Sequence, residues 1–292
     1  MYHKSAAYRV FSLINHAMLA VLALVCIAPL VHILAVSLSG KAAASANLVG
    51  MWPIDFTWQA YGKSIANPFF LDSLWIAVKR TVLGTAVGMT VVTLAAYPLS
   101  KSELHFRPGG IYKWYFVFTM LFNGGMIANY LLIMKLGLIN SLWALILPGA
   151  VSVWNMILLL NFFRTVPKEL EEACLIDGAG HFRTLFYVYL PISLPALATL
   201  SLFTMVSHWN AWFDGLIYMT KFQHYPLATF LQTIIVQQDF DKMNVNKEDL
   251  ENISQRTVKA AQIFIGALPI LLVYPFLQKF FIKGIVLGAI KE

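Results

Sequence analysis

Apolar residues in this chain come in long runs separated by shorter polar stretches. Six runs, at about 11–36, 73–98, 112–134, 141–163, 190–214 and 260–282, match the roughly 20 residues a helix needs to cross a bilayer. In hydrocarbon a chain must satisfy its own peptide groups, and a helix does this within one segment. The pattern predicts an all-α polytopic membrane protein with about six transmembrane helices. Paired glycines in Phe122-Asn-Gly-Gly-Met126 fall inside the third run and permit a break or a close helix crossing. Pro148, Pro269 and Pro275 mark kinks inside other runs. Between the first two runs, Trp52-Pro-Ile-Asp-Phe-Thr-Trp58 reads as an aromatic belt at the membrane surface.

One polar interval, at about 164–189, has a pattern of its own. Pro167 suits a first helical position, and Glu169, Glu171 and Glu172 load the first turns, where negative charge is favoured. Leu170, Ala173 and Cys174 give this helix one apolar face. Gly178 follows Asp177 where a left-handed stop is expected. A second helical stretch begins at His181 and leads into Leu190-Pro-Ile-Ser-Leu-Pro195. A polar helix–turn–helix between two spans suits a docking element, although the acidic run alone also fits a solvated surface helix.

Composition sharpens the membrane reading. Of the 292 residues 59% are hydrophobic and 12% charged, against roughly 25% charged in ordinary globular domains. The formal charge is +7, yet no arginine-rich or aromatic-interleaved basic surface lies outside the runs, so nucleic acid is not an expected partner. Basic residues at span borders read instead as anchors to lipid head groups, Lys79 and Arg80 included. Lys4 and Arg9 before the first run resemble a secretory signal, but that run is too long and further runs follow. With the N-terminus inside, Lys101, Arg107, Lys113, Arg164, Lys168, Arg183, Lys279, Lys283 and Lys291 all fall inside. Against this, Lys221, Lys242, Lys247, Arg256 and Lys259 fall outside, in a connection that also holds Asp239, Asp241, Glu248, Asp249 and Glu251. The positive-inside rule therefore expresses only a modest preference. Cys26 in a span and Cys174 in the polar interval predict no structural disulfide.

Catalytic chemistry is not expected. Gly62-Lys63-Ser64 is the nearest approach to a phosphate-binding loop, and Thr57 stands where its first glycine belongs. The histidines show no metal-ligand spacing, and no catalytic residue, metal or cofactor is assigned to the chain itself. Substrate contact is expected on the fifth run, where Ser201, Met205, His208 and Trp212 fall on one helical face beside Trp209 and Asn210. Asn155 in the fourth run is a similar polar candidate. Aromatic rings stack on sugar C–H faces and amides bond hydroxyls, so such a path suits a saccharide, although Trp209 and Trp212 also fit helix or lipid packing. Lys79 and Arg80, if turned inward, could meet an anionic sugar such as a uronate. His208, Asp214, Lys79 and Arg80 also leave open an ion-coupled carrier, which needs ionisable groups within the membrane.

A resemblance becomes specific in the polar interval. Glu172, Ala173, Asp177, Gly178 and Ala179, then Leu190, Pro191 and Pro195, resemble the EAA loop of permease subunits in binding-protein-dependent ABC importers; Cys174 replaces the usual second alanine. The segments 122–127, 136–148, 209–218 and 281–291 are similar to the polysaccharide and complex-oligosaccharide branch of the maltose-type carbohydrate family. Within that branch the likeness is to the second permease subunit of alginate or pectin-fragment importers. The resemblance implies a single permease domain over residues 1–292 in the bacterial inner membrane. It implies a homologous second permease, two ATP-binding cassette subunits that hold ATP and Mg, an extracytoplasmic solute-binding protein and a saccharide substrate. It assigns ATPase coupling to Glu171, Glu172, Ala173, Asp177, Gly178 and Ala179. A permease for a non-sugar solute would share the coupling loop.

Overall fold

A computed structural model describes residues 6–101, 107–240 and 256–289; Lys4, the charges between 241 and 251, and Lys291 lie outside the described residues. The described residues are helical, with no strand among them. Three helices are long and apolar enough to cross a membrane alone: α1 (Ala6–Ser37), α4 (Pro68–Ser100) and α15 (Arg256–Ala289). Between α1 and α4 lie the short helices α2 (Lys41–Ser45) and α3 (Gln59–Ala66).

The other three apolar runs are bent rather than straight. α5 (Gly109–Leu121) and α6 (Gly125–Lys135) meet at 109° across Phe122-Asn-Gly. α7 (Leu142–Ile146), extended by a 3₁₀ turn through Gly149, meets α8 (Val153–Phe163) at 49° after Pro148. The fifth run breaks at Ser193, where α12 (Leu194–Asn210) turns 82° away from the helical stretch His181–Ile192. Proline is the common cause in the last two, because it removes a backbone donor and clashes with the preceding turn. Asn-Gly-Gly breaks the first: the Asn123 carboxamide accepts from the Gly125 N–H at 2.8 Å, replacing a helical bond.

The chain divides into two compact units. The first holds Met1–Phe70 and Thr233–Leu268, packed on a small-residue cluster of Ala35, Val36, Ala43, Ala44, Val49 and Ala260. Arg256 donates to the Ala44 carbonyl at 3.2 Å and Lys259 to the Ile234 carbonyl at 3.2 Å, closing this unit. Trp52 and Trp58 are exposed in its loop, consistent with an interfacial belt. The second unit, Leu71–Gln232 with Pro269–Glu292, has the larger core. Val92, Ala96 and Leu99 of α4 recur at helical spacing, as do Met156, Leu159, Leu160 and Phe163 of α8, and the two stripes bury one another. Only 11% of the apolar window of α1 is buried, so most of that helix presents side chains that water would reject.

Candidate functional site

The polar interval folds as α9 (Lys168–Ile176) followed by α10 (His181–Thr184), a π turn over Leu185–Tyr189 and α11 (Leu190–Ile192). Pro167 takes the N-cap, not the expected first helical position: its ψ of 131° is extended, so the chain turns into the helix one residue later. Glu169 and Glu171 lie in the first turn, where they complement the helix dipole. The stop at Gly178 has φ +79°. The Gly178 N–H donates to the Leu175 carbonyl at 3.1 Å and the Ala179 N–H to the Cys174 carbonyl at 2.9 Å. That pair of bonds is a complete Schellman closure, which requires the left-handed residue that glycine supplies.

Glu171 points into the protein. One carboxylate oxygen pairs with Lys101 Nζ at 2.6 Å and the other accepts from the Tyr189 hydroxyl at 2.8 Å. Lys101 sits just past the end of α4, its ammonium 4.1 Å from the Tyr97 ring centre and 4.0 Å from that of Tyr189. Tyr97, Tyr189 and Phe163 stack edge to face around the pair. Burial pulls the Lys101 pKa below its ordinary value, while the bond and charge of Glu171 oppose that shift. The arrangement is a latch: a caged cation just past the end of α4 holds the inner side of α9.

The remaining predicted coupling residues lie on the other side. Glu172, Ala173, Asp177 and Gly178 are exposed, Ala179 is half-buried, and Ile176 is 86% exposed. The expected apolar face of Leu170, Ala173 and Cys174 does not pack inward: Leu170 and Ala173 are exposed. The inward side of α9 instead carries Glu171 beside Cys174, both half-buried, and Lys101 and Tyr189 supply the partners of Glu171.

A second polar region lies deeper in the same unit. A cavity of about 470 Å³ is lined by Arg80, Ser152, Asn155, Ser207, His208 and Asp214 among others. Arg80, expected at the interface, is 2% exposed. It forks onto Asp214, with Nη1 to Oδ1 at 3.1 Å, Nη2 to the other oxygen, and Nη1 also to the Ala211 carbonyl at 3.0 Å. Burying a guanidinium is costly unless it is paired, and Asp214, in the first turn of α13 (Phe213–Tyr218), meets that need. Asn155 Nδ2 donates to Thr204 Oγ1 at 3.1 Å. The His208 ring packs on bare backbone at Gly84, where a Cβ would stand 2.5 Å from Nε2.

Of the predicted path residues, Asn155 and His208 line this cavity and Trp209, Asn210 and Trp212 do not. The expected shared face fails at its end: α12 stops at Asn210, and the extended Ala211 (ψ 117°) swings Trp212 out of register. Trp209 is buried and Asn210 exposed. Lys101, Tyr97 and Tyr189 were not among the sequence candidates. Lys101 had one signal, a cation closing an apolar run; the tyrosines had none.

Comparison with known proteins follows the same lines. The family described as binding-protein-dependent transport system inner membrane component matches residues 1–287. The polygalacturonan/rhamnogalacturonan transport system permease protein YtcP of Bacillus subtilis (strain 168) is 38% identical over 288 residues, covering 97% of this chain and 99% of that protein. Protein LplC of the same organism is 37% identical over 289 residues, covering 99% of this chain and 97% of LplC. Among solved structures, a chain from the crystal structure of a bacterial ABC transporter involved in the import of the acidic polysaccharide alginate superposes with a TM-score of 0.86 at 31% identity. The match covers 96% of this chain and 100% of that one.

Proposed function

This chain belongs to the family of binding-protein-dependent transport system inner membrane components, and we propose that it moves an acidic oligo- or polysaccharide, such as a pectin or alginate fragment, driven by ATP hydrolysis in partner subunits. Its fold is that of a type I ABC importer permease, integral to the inner membrane. The proposed partners are a homologous permease, two ATP-binding cassette subunits holding ATP and Mg, and an extracytoplasmic solute-binding protein.

The observation that carries the reading is the two-sided docking helix. Glu172, Ala173, Asp177 and Gly178 face outward for an ATPase surface, while Glu171 ties the same helix to α4 through Lys101. A push on α9 then moves a span and not merely a loop. Ala179 and the Gly178 stop keep α9 and α10 at a fixed angle, so the pair transmits force as one body. The cavity with Asn155 and His208 is the proposed sugar contact on the path. Trp209, Asn210 and Trp212, which lie off it, are kept for a second state of the path. The acidic sugar is supported by the likeness to pectin- and alginate-transport proteins.

The test is co-purification of the tagged chain in mild detergent, then uptake of labelled oligogalacturonate, oligoalginate and maltodextrin into proteoliposomes of the recovered complex. Recovery of a second permease and an ATPase, with ATP-dependent uptake of the acidic sugars, is expected. Uptake of the neutral sugar alone would overturn the substrate, and a chain recovered without an ATPase would overturn the mechanism.

A further inference from the structure

A cavity of about 390 Å³ lies against the docking helix on the side of α5 and α8. Its walls carry Lys101, Lys113, Arg164 and Lys168 together with Glu171 and Glu172. Lys101 and Glu171 neutralise each other. Lys113, Arg164 and Lys168 enter no ion pair among the described residues, so Glu172 is left against three cations. The cations come from three elements: the first turns of α5, the end of α8 and the start of α9.

The position of the cavity says what could fill it. α4 ends at Ser100, α5 begins at Gly109 and α8 ends at Phe163, and Ser100 and Phe163 both line the cavity. It therefore lies where three membrane segments leave the hydrocarbon, at the depth of the head groups. Tyr112, Trp114 and Tyr115 flank Lys113 on α5 and are exposed, with Trp114 at 76%; aromatic rings collect at that depth. Leu175 and Phe163 add apolar wall beside the cations. Cations beside an apolar wall match a phosphate with the start of an acyl chain alongside it. Arg164 supplies the planar fork that suits phosphate oxygens, and the two lysines add point charge.

We propose that this cavity binds the phosphate of an anionic phospholipid and that the bound lipid holds the docking helix against the spans. Lys168 is the first residue of α9 and Arg164 the C-cap of α8, so one phosphate shared by them fixes the approach to the docking helix. The binding stands on geometry and charge alone; the effect on coupling rests on the transporter reading above.

The test counts phosphatidylglycerol retained by the purified assembly, or by the chain alone if it purifies alone, in native mass spectrometry. The test variant is Lys113→Gln/Arg164→Gln/Lys168→Gln, and Lys41→Gln/Lys135→Gln/Lys221→Gln serves as a control of equal charge. The expected result is retained phosphatidylglycerol on the parent and control and a loss of at least about tenfold in the cavity variant. Phosphatidylcholine should not replace it, and 10 mM inorganic phosphate should not displace it. Equal loss in both variants, or displacement by free phosphate, overturns the lipid assignment. So does an assembly that retains no lipid while Lys168 cross-links to the ATPase, since a protein surface then fills the cavity. In proteoliposomes containing phosphatidylglycerol, the cavity variant should hydrolyse ATP with less uptake per ATP than the parent; an unchanged ratio overturns the coupling role while leaving the binding result as read.

Discussion

Glu171 and Glu172 are neighbours of the same type with opposite surroundings. Glu171 sits at 15% side-chain exposure against Lys101 at 11%, whereas Glu172 is exposed. Removing one partner of this largely enclosed pair leaves the other charge poorly compensated, a loss of about 1–3 kcal/mol, less than for a fully buried pair. Glu171→Gln should therefore lower the melting temperature of the purified protein, Glu172→Gln should not, and Lys101→Met/Glu171→Gln should recover part of the loss. Equal melting of the two single variants would remove the latch. A second residue-scale prediction concerns Gly84, whose missing Cβ makes room for His208. Gly84→Ala should cost about 1–3 kcal/mol by overpacking, read by the same melting measurement, and a variant as stable as the parent would mean that the ring is free to move. Neither contact was legible in the sequence. Lys101 was placed on the docking side by its position after an apolar run, but nothing in the local pattern pairs it with Glu171. Arg80 and Asp214 are 134 residues apart, so the sequence favoured Arg80 as an interface anchor over the inward-turned alternative, which is the one its burial supports.

At the scale of elements, local signals served well and angles did not. The docking helix and its stop follow from first-turn acids and a glycine after Asp177, interactions spanning four or five residues, and the structure reproduces them with Gly178 at φ +79°. The breaks at Asn-Gly-Gly and Pro148 were likewise marked in the sequence. Bends of 109°, 49° and 82° were not, because packing of neighbouring helices sets how far a broken helix folds. The face drawn through Ser201 and Trp212 failed for a related reason: it assumed that α12 runs past Asn210. The Gly178 stop makes an ordered prediction. Asn at this position should be tolerated better than Ala, since left-handed backbone costs an ordinary residue about 1–2 kcal/mol. Pro should be worst, because it removes the N–H that bonds Leu175. Uptake by the Asn, Ala and Pro variants, each normalised to the amount in the membrane, should fall in that order; any other order would mean that the stop does not govern coupling.

For the whole molecule, the question is whether the docking segment acts on the cavity through the protein interior. α4 supplies a physical connection: Lys101, just past its end, is held by Glu171, and Arg80 within it forks onto Asp214 at the cavity. The two anchors are about 30 Å apart along one helix at 1.5 Å per residue. A helix clamped at both points carries displacement from one to the other, whereas a helix released at either point does not; Pro98, inside α4, lies between the two clamps. Two variants separate docking from transmission. Glu172→Lys reverses an outward charge and should weaken recovery of the ATPase with the membrane subunits. Lys101→Met leaves the outward face untouched, so the ATPase should still co-purify and hydrolyse ATP, but with uptake per ATP reduced severalfold. Lys101→Arg keeps the cation between Tyr97 and Tyr189 and should restore much of that ratio. If Lys101→Met instead lost the ATPase altogether, the latch would be shaping the docking surface and α4 would not be the transmitting element.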